Sequence, residues 1–140
     1  MSDKVKAEDF PCLISEKVRY SDTDRQSHVN NVVFAVFFEA GRVELLFNYG
    51  EVLEEGCSFV LARSEIDFLR ELNWPGTVTI GTRVQRLGRS SISIEQALFQ
   101  NDSCAARSLS VMVQKHGETG TSTALSDAAR SLFESFSVST

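Results

Sequence analysis

The chain has 140 residues, 42% of them hydrophobic, which suits one domain over residues 1–140 with a real core and is too short for two ordinary domains. Fourteen basic against nineteen acidic residues leave a net charge of −5, a poor match to double-stranded nucleic acid, although a local basic patch could still hold phosphate. The three widely spaced cysteines, Cys12, Cys57 and Cys104, form no CxxC pair and speak against a disulfide framework or a zinc ribbon, and no apolar run reaches the ~18 residues of a membrane span.

Residues 1–11 read as a loose leader ending at Pro11. Met1 to Phe10 is acidic and polar and lacks the basic and apolar regions of a signal peptide, so the expected location is the cytoplasm, with no membrane partner. Residues 12–20 read as a strand with Cys12, Ile14, Glu16, Val18 and Tyr20 on one parity, imperfect enough to be an edge. Residues 21–31, SDTDRQSHVNN, have almost nothing to bury and read as a loop. Residues 32–50 then place Phe34, Phe37, Phe38, Leu45 and Leu46 at spacings of three and four, which predicts a mostly buried helix. Asn30 and Asn31 are its candidate caps, Gly50 its stop, and Gly41 a position of close backbone packing. Ten phenylalanines against one Trp and two Tyr point to an apolar core or an apolar pocket.

Strands follow. Residues 57–69 end in an alternation of Ser64, Ile66 and Phe68 against Glu65, Asp67 and Leu69. Asn73 to Gly76 is a turn, residues 77–87 carry Val78, Ile80 and Val84 on one side, and Gly88 breaks the run. Residues 90–99 carry Ile92 and Ile94 together, Asn101-Asp102 is a hairpin turn, and residues 104–115 carry Leu109, Val111 and Val113 on one side. Residues 126–136 read as a short amphipathic helix after a polar turn. One long apolar helix followed by four strands with short turns predicts an α+β fold with an antiparallel sheet wrapped around that helix.

Two clusters carry possible chemistry. Asp22 and Asp24 stand two apart in the loop; paired carboxylates suit a hard cation, but Arg25, Gln26 and Ser27 do not supply a calcium-loop pattern, and no metal is expected. Asp24, His28, Asn30 and Asn31 lead into the helix, whose first N–H groups can polarise a carbonyl while a nearby carboxylate attacks it or activates water. That arrangement suits ester or thioester hydrolysis; a loop that merely caps the helix is the alternative. There is no GxSxG elbow and no glycine-rich phosphate loop, so neither serine-nucleophile chemistry nor a nucleotide cofactor is expected. Cys104 has no organised base in view, and His116 falls at a turn. Arg83, Arg86 and Arg89 surround the Leu87-Gly88 turn; parity puts Arg83 and Arg89 on one face and Arg86 on the other, a solvated hairpin end or a small anion site.

Arg19 to Asp24, then His28-Val29-Asn30-Asn31, then Phe34, Glu39 and Arg42, resembles the acyl-CoA thioesterases of the 4-hydroxybenzoyl-CoA thioesterase type. Phe59 to Arg63, Glu65 to Arg70, Pro75-Gly76 and Leu87 to Ser91 agree in order, and the loop-to-helix block also resembles acyl-carrier-protein thioesterases. The resemblance implies a hotdog fold, a homodimer often paired again into a homotetramer with active sites between subunits, and a hydrolase acting on an acyl thioester of coenzyme A or an acyl carrier protein. It places the catalytic carboxylate at Asp24, a polar residue near the site at Asn31, a loop-ordering role at His28, and contacts to phosphopantetheine and nucleotide at Arg89 and Ser90. Phe34 stands where relatives usually carry Tyr, and Ser27 where they usually carry Gly. The competing function is a non-catalytic hotdog module that binds acyl ligands or proteins; an ionised Asp24 at the thioester favours the enzyme.

Overall fold

The computed structural model describes residues 4–25 and 27–137, so residues 1–3 of the expected leader, Gln26 of the polar loop and residues 138–140 lie outside the described residues. The two periodicities of the sequence separate cleanly. Period-two stretches form β1 (Cys12–Lys17), β2 (Cys57–Phe68), β3 (Thr77–Leu87), β4 (Ser91–Gln100) and β5 (Ser103–His116). Helical spacing gives α1 (Asn31–Phe47) and α2 (Asp127–Glu134). The strands form one antiparallel sheet in the order β1-β3-β4-β5-β2, with β1 and β2 at its edges. Asn101 and Asp102 join β4 to β5 with φ of 52° and 63°, the two left-handed residues that a tight hairpin turn requires.

α1 lies over the inner face of β1, β3 and β4, and the sheet wraps around it as a hotdog. Phe34, Phe37 and Phe38 pack with Val78, Ile80 and Leu98, and one to two turns on Leu45 and Leu46 pack with Ile92, Ile94 and Phe133 of α2. Each such side chain is worth about 1.5–3 kcal/mol of burial. Gly41 is where the helix backbone touches the sheet: a Cβ there would lie 2.6 Å from Gln96 Nε2 and 2.7 Å from both Ile80 Cγ2 and Thr82 Oγ1.

Four expectations need correction. The first strand stops at Lys17 rather than Tyr20, because the Val18 N–H turns to Gly76 O at 2.9 Å and the chain enters a 3-10 turn at Tyr20–Asp22. The leader is not loose throughout: Phe10 is buried over Gly81, edge-on to Phe99 and under the Arg83 guanidinium at 4.6 Å. The helix ends at Phe47 with Asn48 as its C-cap, short of Gly50. The arginine parity also fails, since a bulge between Val84 and Arg86 re-phases β3. Arg83 pairs with Glu95 on the outer face, and Arg86 shares that face instead of opposing it.

The two faces of β5 are the most informative. Leu109, Val111 and Val113 share one side, yet they point away from α1. Gln96 faces the helix, donating to Phe38 O at 2.9 Å, and Ser108 is its direct partner across the sheet. The parity buried under α1 is therefore Ser108, Ser110, Met112 and Gln114.

Candidate active site

The loop between β1 and α1 holds its shape through Asp22. Arg19 Nε and Nη2 donate to Asp22 Oδ1 at 3.2 and 2.8 Å, and the Arg19 N–H donates to Oδ2 at 2.8 Å. The Asp22 side chain is only 2% exposed. Burial pushes its carboxyl pKa up, but the hydrogen bonds and charge of Arg19 outweigh that and leave it below the ordinary aspartate value. Asp22 O accepts the Asn30 N–H at 2.8 Å, which pins the residue that caps α1. Asn30 Oδ1 accepts from the Val32 N–H at 3.0 Å, so Asn30 is the cap and Asn31 the first helical residue.

Asp24 is placed differently. It is exposed and sits in a small closed turn in which its N–H donates to His28 O at 2.8 Å and its carbonyl accepts the Ser27 N–H at 3.2 Å. Its Oδ1 accepts the His28 N–H at 3.3 Å. Ser27 holds the turn with φ +64°, a left-handed conformation in which glycine is the unstrained choice. The return leg is stitched to the segment after β2: Val29 N–H donates to Leu72 O at 2.9 Å, and His28 forms a backbone bridge with Asn73. His28 Nε2 lies 2.9 Å from Glu71 Oε2, so its ring is turned toward Glu71.

A cleft of about 350 Å³ opens between this loop, the start of α1 and the end of β2. Asp24, His28 and Asn31, three residues of the loop cluster singled out in the sequence, line one side. Phe34 and Phe68, in edge-to-face contact at 5.1 Å, form an apolar wall. Arg70 and Glu71 complete the rim. Sequence reading takes Arg70 only as part of a family block and does not single out Glu71, because nothing local signals that the residues after β2 return to the loop. The Asn31 amide, at the positive end of α1, has no protein acceptor among the described residues. A carboxylate and a helix-terminal N–H that share one cleft can together serve attack on a polarised carbonyl. Among the described residues, no three His, Cys, Asp or Glu side chains gather as a metal would need.

Arg89 and Ser90 are not brought to this cleft within one copy of the chain. They follow β3 at the end remote from Asp24, where Ser90 O accepts the Gln114 N–H and Arg89 O accepts the Leu125 N–H, at 2.8 and 2.9 Å. The intervening strand, Thr77–Leu87, spans about 33 Å at the usual strand rise. Among the described residues, no helix is long and apolar enough to cross a membrane.

Comparison with known proteins agrees with this geometry. The family model for the thioesterase-like superfamily matches residues 18–133. Among solved structures, a thioesterase from Thermus thermophilus, complexed with coenzyme A and Zn, is 32% identical, with a TM-score of 0.77 over 89% of this chain and 98% of that one. A predicted thioesterase from Bacillus stearothermophilus is 27% identical, with a TM-score of 0.80 over 89% and 95%. A protein from Pseudomonas aeruginosa is 24% identical, with a TM-score of 0.86 over 96% of both chains, and is similar in fold. Comparison with curated proteins gives no significant match.

Proposed function

The chain belongs to the thioesterase-like superfamily, and from that premise we propose that it hydrolyses an acyl thioester to free acid and thiol with Asp24 as the catalytic carboxylate. The observation that carries the proposal is the pairing, in one cleft, of an exposed Asp24 with the Asn31 amide at the start of α1. A thioester carbonyl set between them gains a hydrogen bond from Asn31 as its oxygen becomes negative, an interaction that strengthens in the transition state. Asp24 either attacks the carbon, expelling thiolate and leaving an anhydride for water to open, or takes a proton from water as that water attacks. His28 is a positioning residue in both versions: its backbone closes the Asp24 turn while its ring rests on Glu71.

Coenzyme A in the Thermus thermophilus thioesterase supports coenzyme A as the carrier here, with an acyl carrier protein as the other candidate. The proposal includes a second copy of the chain. β2 is a twelve-residue edge with Leu61 and Phe68 exposed, and α1 beside it exposes Val32, Val43 and Phe47. Such an edge invites pairing. A two-fold axis across β2 sets the two copies antiparallel, so that Arg89 and Ser90 of one approach the Asp24 end of the other, where they would hold the phosphates and pantetheine of the carrier. Pairs of such dimers would make the tetramer.

The test is steady-state hydrolysis of short, long and aromatic acyl-CoAs by the wild type and by Asp24→Asn, with circular dichroism to verify folding. The expected result is turnover of at least one class by the wild type and near-abolition in the variant. Half or more of kcat retained in Asp24→Asn would leave the loop as a helix cap and favour an acyl-binding module.

A further inference from the structure

The second half of the groove between α1 and β2 carries chemistry that thioester hydrolysis does not use. Beyond the Asp24 cleft, a second cavity of about 250 Å³ lies in line with the first, walled by Val43 and Leu46 of α1, Phe59 and Leu61 of β2, and Met112 of β5. Arg42 and the exposed Glu39 line it as well. That arginine is 7% exposed and, among the described residues, forms no ion pair and donates only through Nη1 to Gln96 Oε1 at a long 3.4 Å. Burial lowers its pKa, with the charge of Glu39 opposing. A buried guanidinium with most of its five N–H donors unused is costly unless an anion completes it.

The cavity's own strand residues, Phe59, Leu61 and Met112, are apolar, and a polar row lies next to them under the middle of α1. Thr82, Gln96 and Ser108 stand side by side across β3, β4 and β5 on the face toward α1, and Ser110 and Ser64 continue the patch on β5 and β2. Gln96 is consumed by Phe38 O and Thr82 Oγ1. Ser108 Oγ and Ser110 Oγ are buried with no hydrogen-bond partner. The two serine hydroxyls are shut beneath α1 and line neither cavity; Arg42, on the cavity wall, is the group that points to a missing acceptor.

We infer that this half of the groove receives the far end of the acyl chain, and that Arg42 pairs with a carboxylate there: the substrate class is the thioester of a medium-chain dicarboxylic acid. The inference rests on the thioesterase reading above. Asn31 and Arg42 are eleven residues apart on α1, about 16 Å along its axis, and a helical side chain leans back toward the N-terminus. A medium-length acyl chain spans that distance, with its methylenes against Phe34, Phe68 and Ile66 and its carboxylate at Arg42. A carboxylate suits the guanidinium better than a hydroxyl, because its two oxygens can accept from it in a bidentate pair and neutralise the buried charge.

The experiment compares kcat/KM of the wild type for a medium-chain acyl-CoA and for the matched ω-carboxyacyl-CoA, then repeats the pair with Arg42→Met, an apolar replacement of similar length. The wild type should prefer the ω-carboxy substrate by about tenfold or more, the scale of a hydrogen bond to a charged group. In Arg42→Met that ratio should fall to one or below, whatever change is common to both substrates. Binding of the free dicarboxylic acid to the wild type by calorimetry, against the monocarboxylic acid of equal length, gives a readout that needs no variant to fold and no turnover. Equal rates for the two substrates, or equal binding of the two acids, overturn the inference while leaving the thioesterase reading intact. Loss of dimer in Arg42→Met with the ratio unchanged also overturns it and assigns the guanidinium to the subunit interface. If no thioester is hydrolysed but the dicarboxylic acid binds through Arg42, the site stands and the hydrolase reading falls.

Discussion

The polar loop before α1 contains two aspartates two residues apart that do opposite things. Asp22 is buried, clamped by three hydrogen bonds from Arg19, and its own carbonyl holds the cap of the helix. Asp24 is exposed, lines the cleft and is bonded to His28 and Ser27. On the proposed mechanism, one half of the loop is scaffold and the other half is site. The lesson is that carboxylates in a catalytic-looking cluster are sorted by their surroundings: the buried one that Arg19 clamps holds the loop, and the exposed one that lines the cleft is the proposed catalytic group.

The largest effect should come from the site half. Asp24→Asn keeps shape and removes charge, so kcat on the best acyl-CoA should fall by ~10²–10⁴ with little change in KM and almost none in Tm. One turnover in heavy-oxygen water then separates the two roles of Asp24: label in its carboxylate marks an anhydride, whereas label only in the released acid marks a general base.

Asp22 should fail in the other sense. Asp22→Asn removes the charge and replaces one accepting oxygen with an NH2 donor, so it should lower unfolding stability by about 1–3 kcal/mol and weaken kcat only as far as the loop loosens. Its pH signature follows from its depressed pKa. A carboxyl lower in the folded than in the unfolded state contributes stability that is present above the unfolded value and is lost as pH falls through the folded one. Urea titrations between about pH 6 and pH 2 should therefore give a shallower acid slope in Asp22→Asn than in the wild type. A parallel slope would show that the Arg19 clamp adds nothing to stability.

Much of this division was legible in the sequence, and the parts that were not share a cause. The helix, the succession of strands along the chain and the convergence of Asp24, His28 and Asn31 follow from periodicity and from a short polar spacing that the helix start brings together. Only the family resemblance points to Asp24 rather than Asp22, because nothing in spacing says which carboxylate Arg19 will take. Glu71 went unnoticed because its link to His28 is long in sequence relative to any local pattern. Arginine parity failed at a single bulge, and the polar inner face of β5 was hidden by the more hydrophobic outer one. Period-two alternation identifies two faces but cannot say which one is covered.

The comparison extends to the remote end of the sheet. Arg89 is exposed and far from Asp24 in its own copy, so any contribution to the site has to cross to the partner. Arg89→Glu should raise KM for an acyl-CoA by about two- to fivefold, the scale of an exposed ionic contact, and the increase should shrink with added salt. A thioester without the nucleotide should be hardly affected. Equal changes for both substrates would place Arg89 in folding rather than carrier binding.

The smallest expected effect tests how much strain the site half bears. Ser27 closes the Asp24 turn at φ +64°, where an L-residue with a Cβ is disfavoured by about 1 kcal/mol or more and glycine is not. Ser27→Gly removes that local cost. It also frees the unfolded chain, which opposes the gain by about 0.4–1 kcal/mol. The two nearly cancel, so the net stabilisation should lie between zero and about 1 kcal/mol, measured as a small rise in the urea midpoint at unchanged slope. Ser27→Val keeps the strain and adds a branched side chain that the left-handed region does not tolerate, so it should fall clearly below the wild type. Because the Ser27 N–H bonds to Asp24 O whatever the side chain, kcat in the glycine variant should stay near the wild-type value. A stability loss in Ser27→Gly as large as that of Asp22→Asn would mean that the serine side chain itself ties the turn, and that the site half of the loop is scaffold as well.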